Sequence, residues 1–298
     1  MTGSSEMNRR SAAALGIFDG VHLGHRAVIK RAVELARINN ISSAVFTFDT
    51  ATVTSKGRND HLLPAQVKHS VIKELGIEKI LSVPFESVKN HTAEEFVRDI
   101  LCGELGAVYA VCGEDFRFGK NASGNADVLK ELGKKYGFEV DIVPAVKDRH
   151  GRRVSSTDIR KMLACGDIKE ANILLGSPYS FKLRVENGFR IGRTLNFPTV
   201  NQYFEKGQAP LCYGVYASRA EYGGKCYQSV TNIGMKPTVA NTDVPLAETH
   251  IIGFDGDVYG EEVKISLLEY IRPEIKFDSI EELKKQIAED INKAIGNQ

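Results

Sequence analysis

The sequence predicts an α/β protein in which a doubly wound parallel sheet is followed by a mostly antiparallel β domain with a terminal helix. Three observations lead to this prediction. In the first half, short apolar runs alternate with segments of helical hydrophobic spacing, a pattern typical of parallel strands joined by helices. After residue 178, strand-like segments follow one another with turn signals between them, as in antiparallel sheets. The segment 279–295 is amphipathic, with Ser279 as its N-cap and Glu282 three residues later, and predicts a closing helix.

Hydrophobic spacing defines the elements of the first half. After His25, apolar side chains at Val28, Ile29 and Ala32 repeat with helical spacing. Thr92 and Glu95 have the spacing of a capping box, which predicts a helix start. The predicted strands are 12–18, 43–48, 78–83, 107–112 and 138–143, and the predicted helices are 25–39, 64–75, 92–102 and 125–136.

The second half changes character after two short predicted helices. Gly176 and Pro178 end the second of these helices, which places a domain boundary near residue 178 and predicts domains 1–178 and 179–298. The segments 222–224 and 255–257 are predicted hairpin connections. The predicted helices are 156–164 and 167–175, and the predicted strands are 179–186, 213–220, 225–232, 246–254 and 262–270.

Composition narrows the functional classes. Among 298 residues, 42% are hydrophobic and 26% are charged, values typical of a soluble globular protein. A net charge of +1 gives no electrostatic footprint for nucleic acid or an anionic membrane. The sequence has no long apolar run and predicts no signal peptide. Five scattered cysteines without a CxxC motif predict reduced thiols and a cytoplasmic location.

The stretch GIFDGVHLGH, residues 16–25, lies where a predicted strand gives way to a helix. A helix entry exposes backbone N–H groups that favour an anion, and glycines allow close approach to the backbone. His22 and His25 border this entry, so the stretch is a candidate phosphate site. The alternative is an ordinary tight turn whose histidines cap or pack, and spacing alone does not separate the two interpretations.

Two further stretches could lie close to residues 16–25 in the folded chain. CGEDFRFGK, residues 112–120, follows a predicted parallel strand and therefore lies at the same sheet edge. VSSTDIR, residues 154–160, offers three hydroxyls and a guanidinium at a helix start. Taken alone, VSSTDIR favours the interpretation as an ordinary N-cap.

These three stretches, in this order, resemble the bifunctional bacterial riboflavin kinase/FAD synthetase family. GRTLNFPTVN, TNIGMKPTV, ETHIIGFDGDVYG and YIRPEIKF in the second half resemble the kinase module of that family, so the resemblance covers nearly the whole chain. It implies a Rossmann-like nucleotidylyltransferase domain that adenylylates FMN, followed by a β-barrel riboflavin kinase. It implies riboflavin, FMN and ATP as ligands and Mg²⁺ as the metal. The net charge predicts no nucleic-acid or membrane partner, and the sequence indicates no obligate protein partner.

The resemblance also assigns roles to residues. It implies that His22, His25 and Arg160 are catalytic in adenylyl transfer, a reaction whose anionic nucleophile needs no general base. It implies flavin binding by Asp115, Phe116 and Arg272. The implied nucleotide and phosphate ligands are Gly16, Phe18, Asp19, Gly20, Gly24, Ser155, Ser156, Thr157, Gly188 and Arg193.

In the kinase half, a neutral hydroxyl must lose a proton, so a carboxylate base is useful. Glu248 is the candidate, since it alternates onto an otherwise apolar strand face. Thr199 and Asn201 lie on one side of an extended chain, and their oxygens suit Mg²⁺. The alternatives are a salt-bridged barrel residue for Glu248 and turn hydrogen bonds for the other two.

The sequence departs from the family pattern at three places. TFDTAT, residues 47–52, lacks the usual prolines and histidine, and NFPTVN has Asn196 and Val200 where glycine and alanine are usual. Leu183 replaces a typical glycine. Two other functions therefore stay open: a nucleotidylyltransferase for another phosphorylated acceptor or with a weakened kinase, and a non-catalytic flavin sensor.

Overall fold

A computed structural model describes residues 10–49, 60–186, 197–235 and 244–296. The chain divides into two compact units. The first consists of Met1–Asn59 and Lys68–Ser156, and the second of Asp60–Val67 and Thr157–Gln298. The early segment Asp60–Val67 belongs to the second unit because His61 exchanges backbone hydrogen bonds with Gly207 and Ala209.

The first unit contains a five-stranded sheet in which every pair is parallel, in the order β3-β2-β1-β4-β5. Apolar runs form its strands because both faces are covered. Ala12 and Ala14 are buried on one face, while Ala13 and Leu15 pack on the other face. Its strands are β1 (Ser11–Leu15), β2 (Ser42–Phe48), β3 (Lys79–Val83), β4 (Ala107–Gly113) and β5 (Glu139–Val143).

Helices connect these strands. The first buries Val28, Ile29 and Ala32, the residues whose spacing predicts it. The capping box of Thr92 and Glu95 is present, with both of its hydrogen bonds. The helices are α1 (Leu23–Asn39), α2 (Ala65–Glu74), α3 (Phe85–Val88), α4 (Ala93–Glu95), which continues as the π-helix Phe96–Glu104, and α5 (Ala126–Tyr136), with a short 3₁₀ turn at Lys120–Ala122.

The second unit contains an antiparallel six-stranded sheet, in the order β6-β11-β8-β9-β10-β7. The sheet curls until its edges meet, since the N–H of Glu186, just after β6, donates to the carbonyl of Asn201 on β7 at 2.8 Å. Buried Gln202 also joins the edges, because its Nε2 donates to the carbonyls of Leu183 and Val263. The strands are β6 (Tyr179–Arg184), β7 (Thr199–Tyr203), β8 (Gly214–Tyr222), β9 (Lys225–Met235), β10 (Pro245–Ile251) and β11 (Glu262–Arg272).

Three helices accompany this sheet, namely α6 (Ser156–Cys165), α7 (Ile168–Leu175) and α8 (Ile280–Gly296). The N–H of Glu282 donates to the Ser279 hydroxyl at the start of α8, as predicted. The predicted fold class, a parallel α/β part followed by an antiparallel curled sheet with a terminal helix, is confirmed. No helix in the described ranges is both long and apolar enough to cross a bilayer.

Some local predictions are wrong. The turn at 222–224 does join neighbouring strands, but the segment 255–257 connects β10 to β11, which are not adjacent, and so is not a hairpin. The sequence pattern predicts neither strand β7 nor helix α3, and α3, with four residues, is too short to show a helical period. The helix predicted at 92–102 is π-helical from Phe96 onwards.

Candidate active sites

The histidine turn, residues 16–25, joins β1 to α1. His22 is the N-cap of α1, and its Nδ1 accepts a hydrogen bond from the backbone N–H of His25 at 3.3 Å. The two imidazoles stack, with ring centroids 3.6 Å apart. Because Nδ1 of His22 is the acceptor, a neutral His22 carries its proton on Nε2 and can donate it.

The backbone of this turn is held in an uncommon conformation. Phe18 and Val21 have φ angles of 51° and 43°, in the left-handed region that side chains other than glycine rarely adopt. Such residues cost about 1–3 kcal/mol each and persist where their surroundings hold them. Both side chains are fully buried, which supplies that support.

Two glycines of the turn make room for aromatic rings. A Cβ at Gly16 would lie 2.9 Å from the ring of Phe18, and a Cβ at Gly24 would lie 3.1 Å from the imidazole of His22. Packing therefore favours glycine at both positions, in addition to the predicted phosphate contact. Gly20 has a φ of 81°, so glycine is also favoured there.

Both imidazoles of the turn are neutral at physiological pH. Burial, followed by the charge of Arg153, lowers the pKa of His22 to about 4. Burial also lowers the pKa of His25 well below its ordinary value, and His22, Lys68 and Arg153 add to this effect. Nδ1 of His25 is buried and has no hydrogen-bond partner among the described residues. The pair therefore offers N–H donors and a lone pair, and it carries no positive charge.

The low pKa of His22 predicts acid sensitivity of the first unit. The unfolded chain takes up a proton near pH 6.5 and the folded chain only near pH 4, so the free energy of unfolding falls as the pH drops through this window. Between pH 7.5 and 5.5 this single group should account for a loss on the order of 1 kcal/mol. Urea unfolding followed by circular dichroism at the two pH values measures it. We expect His22→Asn to lose less stability over this range than the wild type, and an equal loss would contradict the buried neutral state.

Two predicted stretches converge on the histidine turn within the first unit. The hydroxyl of Ser156, the first residue of α6, donates to the carbonyl of Asp19 at 2.9 Å. Arg153, which the sequence reasoning missed, forms an ion pair with Asp115 at 2.6 Å, and the charges of both act on His22. The only signal for Arg153 was its place two residues before Ser155.

The flavin candidate Phe116 follows β4 in the same unit. Its ring stacks on Phe118, with centroids 5.5 Å apart, and Phe118 in turn contacts Phe96. Phe116 is half-buried and Asp115 is exposed, so these residues present an apolar ring and a carboxylate side by side.

In the second unit, the start of α6 carries Thr157 and Arg160. Thr157 is exposed. The guanidinium of Arg160 lies against Asp60, whose carbonyl accepts a hydrogen bond from Nη2 at 2.9 Å and whose carboxylate lies 3.1 Å from Nε. The segment before α2 therefore holds this arginine in place.

The second constellation lies on one face of the antiparallel sheet. In the strand ladder, Glu248 of β10 pairs with Asn201 of β7 on one side and with Asn232 of β9 on the other. Thr199 pairs with His250, two residues along, so Thr199 and Asn201 share the face of Glu248. Asn201 is only 7% exposed. Asn232, which the sequence reasoning missed, also donates to Glu274 at 3.2 Å.

An open cleft lies where β7 begins and β10 ends. Thr199 lines it together with Val200, one of the unusual residues of the sequence, so the extra bulk of Val200 is at the cleft wall. Its walls are mainly apolar and aromatic, and a single carboxylate is present. The other lining residues are Val185, Pro198, Ile251, Phe254, Gly256, Asp257, Val258 and Tyr259.

Arg272, a flavin candidate, is engaged in a structural contact. Its Nε and Nη2 both bond to the carboxylate of Asp290 on α8, at 3.0 and 2.7 Å, and Nη1 donates to the carbonyl of Pro273. Asp290 is 2% exposed, so this ion pair fastens the terminal helix to the sheet. A flavin contact by Arg272 stays a prediction. Gly188, Arg193, Asn196 and the segment 50–52 lie outside the described residues.

Comparison with known proteins indicates which reactions this family catalyses. A sequence model described as FAD synthetase matches residues 4–158, and one described as riboflavin kinase matches residues 175–296. Curated proteins named bifunctional riboflavin kinase/FMN adenylyltransferase are similar along nearly the whole chain. The relative from Bacillus subtilis (strain 168) is 36% identical over 298 residues, covering 97% of this chain and 93% of the relative. The relative from Escherichia coli (strain K12) is 35% identical over 284 residues, covering 93% and 89%.

A solved structure is similar over the same length. It is named as a macrolide-efflux protein from Streptococcus pneumoniae and is 30% identical, with a TM-score of 0.82 over 94% of this chain and 92% of that chain. That name applies to the Streptococcus protein alone. For this chain, the two family matches and the curated relatives agree with one another on a pair of reactions.

Proposed function

Because the chain belongs to the bifunctional riboflavin kinase/FMN adenylyltransferase family, with ATP as co-substrate of both reactions, we propose that each unit carries one of them. The first unit, with the histidine turn, adenylylates FMN to FAD and releases pyrophosphate. The second unit, with Glu248, phosphorylates riboflavin to FMN. The FAD synthetase match ends at residue 158, and the riboflavin kinase match begins at residue 175, which supports this division.

In adenylyl transfer, the phosphate of FMN attacks the α-phosphorus of ATP, and the bond to pyrophosphate breaks. The nucleophile is already an anion, so the site needs donors and positioning and no base. His22 and His25 are neutral, and we assign them the role of N–H donors to the phosphates at the start of α1. Ser155 and Ser156 are assigned to the departing pyrophosphate, and Arg153 joins them because its charge acts on His22. For Thr157 and Arg160, this role is the one that the family resemblance implies.

Asp115 and Phe116, which are adjacent in the sequence, are the candidates for binding the flavin in the same reaction. The stacked rings of Phe116 and Phe118 provide an apolar surface for a flat ring system, and the Asp115–Arg153 ion pair borders it. The backbone of Gly16, Phe18, Asp19, Gly20 and Gly24 is assigned to the nucleotide.

In the kinase reaction, the 5′-hydroxyl of riboflavin loses its proton as it attacks the γ-phosphorus of ATP. Glu248 is assigned as the base, because it shares a strand face with Asn201 and with Thr199, and Thr199 lines the apolar cleft. The cleft walls, with the rings of Phe254 and Tyr259, suit the adenine base. Gly188 and Arg193 are assigned to the phosphates of the same nucleotide.

The residues present also fit Mg²⁺. The oxygens of Thr199 and Asn201 share one face with Glu248, and Mg²⁺ is usually held by few protein oxygens together with substrate phosphates. When bound, the ion would neutralise charge on the transferred phosphoryl group. Thr199 and Asn201 would hold it, while Glu248 accepts the proton.

One observation supports this function above all. The chain has two separate groups of side chains, and each group contains the residue types that its reaction needs. The test is incubation of the whole chain with riboflavin, ATP and Mg²⁺, followed by separation of the flavins. We expect both FMN and FAD. Tight flavin binding with neither product would indicate a non-catalytic sensor, and FAD formed only from supplied FMN would indicate a weakened kinase.

The proposed boundary near residue 178 predicts that the kinase works alone. A fragment of residues 179–298 should convert riboflavin to FMN and form no FAD from supplied FMN. A longer fragment, 157–298, is the matched control. It keeps α7, which buries Ile168, Leu174 and Leu175, so we expect equal kinase activity and a higher unfolding temperature. FAD formation by either fragment would contradict the division of the two reactions.

We further propose that the enzyme works in the cytoplasm without nucleic acid, membrane or an obligate protein partner. Its five cysteines are all free thiols, which fits a reducing compartment. Cell fractionation with detection of the chain tests the location.

A further inference from the structure

Lys68 on α2 is a buried cation in the first unit. It is 2% exposed and is among the largest fully buried side chains of the protein. Lysine is almost never fully buried unless its ammonium is paired. Its Nζ donates to the carbonyl of Phe48 at 2.7 Å and to the hydroxyl of Thr47 at 3.3 Å. These two bonds use two of its three N–H donors.

The two acceptors of Lys68 connect it to the histidine turn. Thr47 and Phe48 end strand β2, and the hydroxyl of Thr47 donates in turn to the carbonyl of Ile17 at 2.7 Å. Ile17 immediately precedes Phe18, whose φ of 51° begins the uncommon conformation of the turn. A chain of hydrogen bonds therefore runs from α2 through the end of β2 to the backbone that positions the two histidines.

The charge of Lys68 acts on the same site. The charged and titratable groups that face it are Asp19 of the turn, Asp49 after β2, His25 of α1 and its neighbour His69. Burial lowers the pKa of Lys68 to about 8, against the opposing effect of the two aspartates, so the ammonium is charged at neutral pH. This charge lowers the pKa of His25, after the larger effects of burial and of His22.

A buried ammonium weakens the fold unless something compensates it, because its charged form is better solvated in the unfolded chain. An apolar side chain of similar length would fill the same space without that cost. The sequence nevertheless has lysine here, and its charge interacts with Asp19 and His25 of the histidine turn and with Asp49.

We propose that Lys68 is a positioning residue for adenylyl transfer: through Thr47 it holds the histidine turn in the shape that receives the triphosphate, and its buried charge attracts the anionic nucleotide. Lys68 needs no direct contact with the substrates, because it acts through Thr47 and Ile17 and through the electrostatic field at the turn. The inference rests on the proposed role of the histidines in adenylyl transfer.

The test uses the full chain and three variants: Lys68→Met, which keeps the length without the charge; Lys68→Arg, which keeps a charge that does not titrate; and Thr47→Val, which removes the hydroxyl relay alone. FAD formation from FMN is measured between pH 7 and 9.5, with riboflavin kinase activity in each sample as the control. In the wild type, we expect kcat/KM for ATP to fall as the pH rises through about 8, since the ammonium then loses its proton.

We expect Lys68→Met to lower this kcat/KM at pH 7 by roughly 10²-fold, the size typical of a small misplacement of the reacting groups, and to abolish its fall above pH 8. Lys68→Arg should retain activity above pH 8, and Thr47→Val should lower the rate while keeping the alkaline fall. Kinase activity should stay within twofold throughout. The unfolding temperature of Lys68→Met should not decrease.

Two results would overturn the inference. FAD formation by Lys68→Met within twofold of the wild type, with the alkaline fall unchanged, would assign the fall to another group and leave Lys68 without a role in the reaction. Loss of kinase activity and of the unfolding temperature together would make Lys68 a residue of the fold. The proposed role of the histidines is tested separately. If that role is wrong, His25→Ala retains FAD formation, whatever the Lys68 variants do.

Discussion

Glu248→Gln is expected to lower FMN formation by roughly 10²–10⁴-fold, the range typical of losing a general base. The amide has the size of the carboxylate and can still pair with its neighbours on β7 and β9, but it cannot accept the proton of the 5′-hydroxyl. FMN formation from riboflavin and ATP, followed by separation of the flavins, measures the effect. ATP binding should survive, because Thr199 and Asn201 stay in place.

The matched control is Glu262→Gln, the same chemical change at an exposed position of β11 where the carboxylate pairs with Lys182 at 2.9 Å. It should leave both activities near the wild-type rate. FAD formation from supplied FMN should also be unaffected by Glu248→Gln, because FMN brings its own anionic nucleophile. If Glu248→Gln keeps kinase turnover within a few-fold, Glu248 is a paired residue of the barrel and another group accepts the proton.

His25→Ala is expected to reduce FAD formation by on the order of 10²-fold, as for the loss of one preorganised donor. The imidazole stacks on His22, and its Nδ1 is buried without a hydrogen-bond partner among the described residues, an arrangement that has a cost unless a ligand uses the ring. The rate of FAD formation from FMN and ATP is the measurement. Because His25 is neutral, His25→Gln should recover part of the lost rate by supplying an N–H donor without a charge.

For this variant, the control is His91→Ala, a histidine in the same unit outside the histidine turn. It should leave both activities unchanged. FMN formation should be unaffected by His25→Ala, because the kinase reaction uses the groups of the second unit. An equal fall in both activities would indicate misfolding and would make His25 a structural residue of the turn.

Local patterns in the sequence account for much of the first site. The helical spacing after His25 and the glycines before it place His22 at the start of α1, and the structure confirms this entry. The capping box at Thr92 and the extended pattern that places Thr199 and Asn201 on one side are local in the same way. Each depends on residues within a few positions of one another, so hydrophobic period and capping chemistry are sufficient to predict it.

Other features depend on which distant segments meet. The hydrophobic period that predicts the helix of residues 64–75 does not predict that Lys68 is buried, because its hydrogen-bond partners lie at the end of β2. Likewise, nothing near Arg272 in the sequence indicates its pairing with Asp290, and nothing near Arg153 indicates Asp115. The hairpin predicted at 255–257 is wrong for the same reason, because the strand order of the sheet separates β10 from β11.

The amino-acid sequence alone was therefore sufficient for the two-part fold, the two sets of reactive residue types and the family they resemble. The folded structure was needed to establish that the imidazoles are neutral, that Glu248 lies between Asn201 and Asn232, and that Lys68 is joined to the histidine turn. Burial, hydrogen-bond partners and pKa values depend on the packing of segments far apart in the chain. Local hydrophobic periods contain no information about that packing.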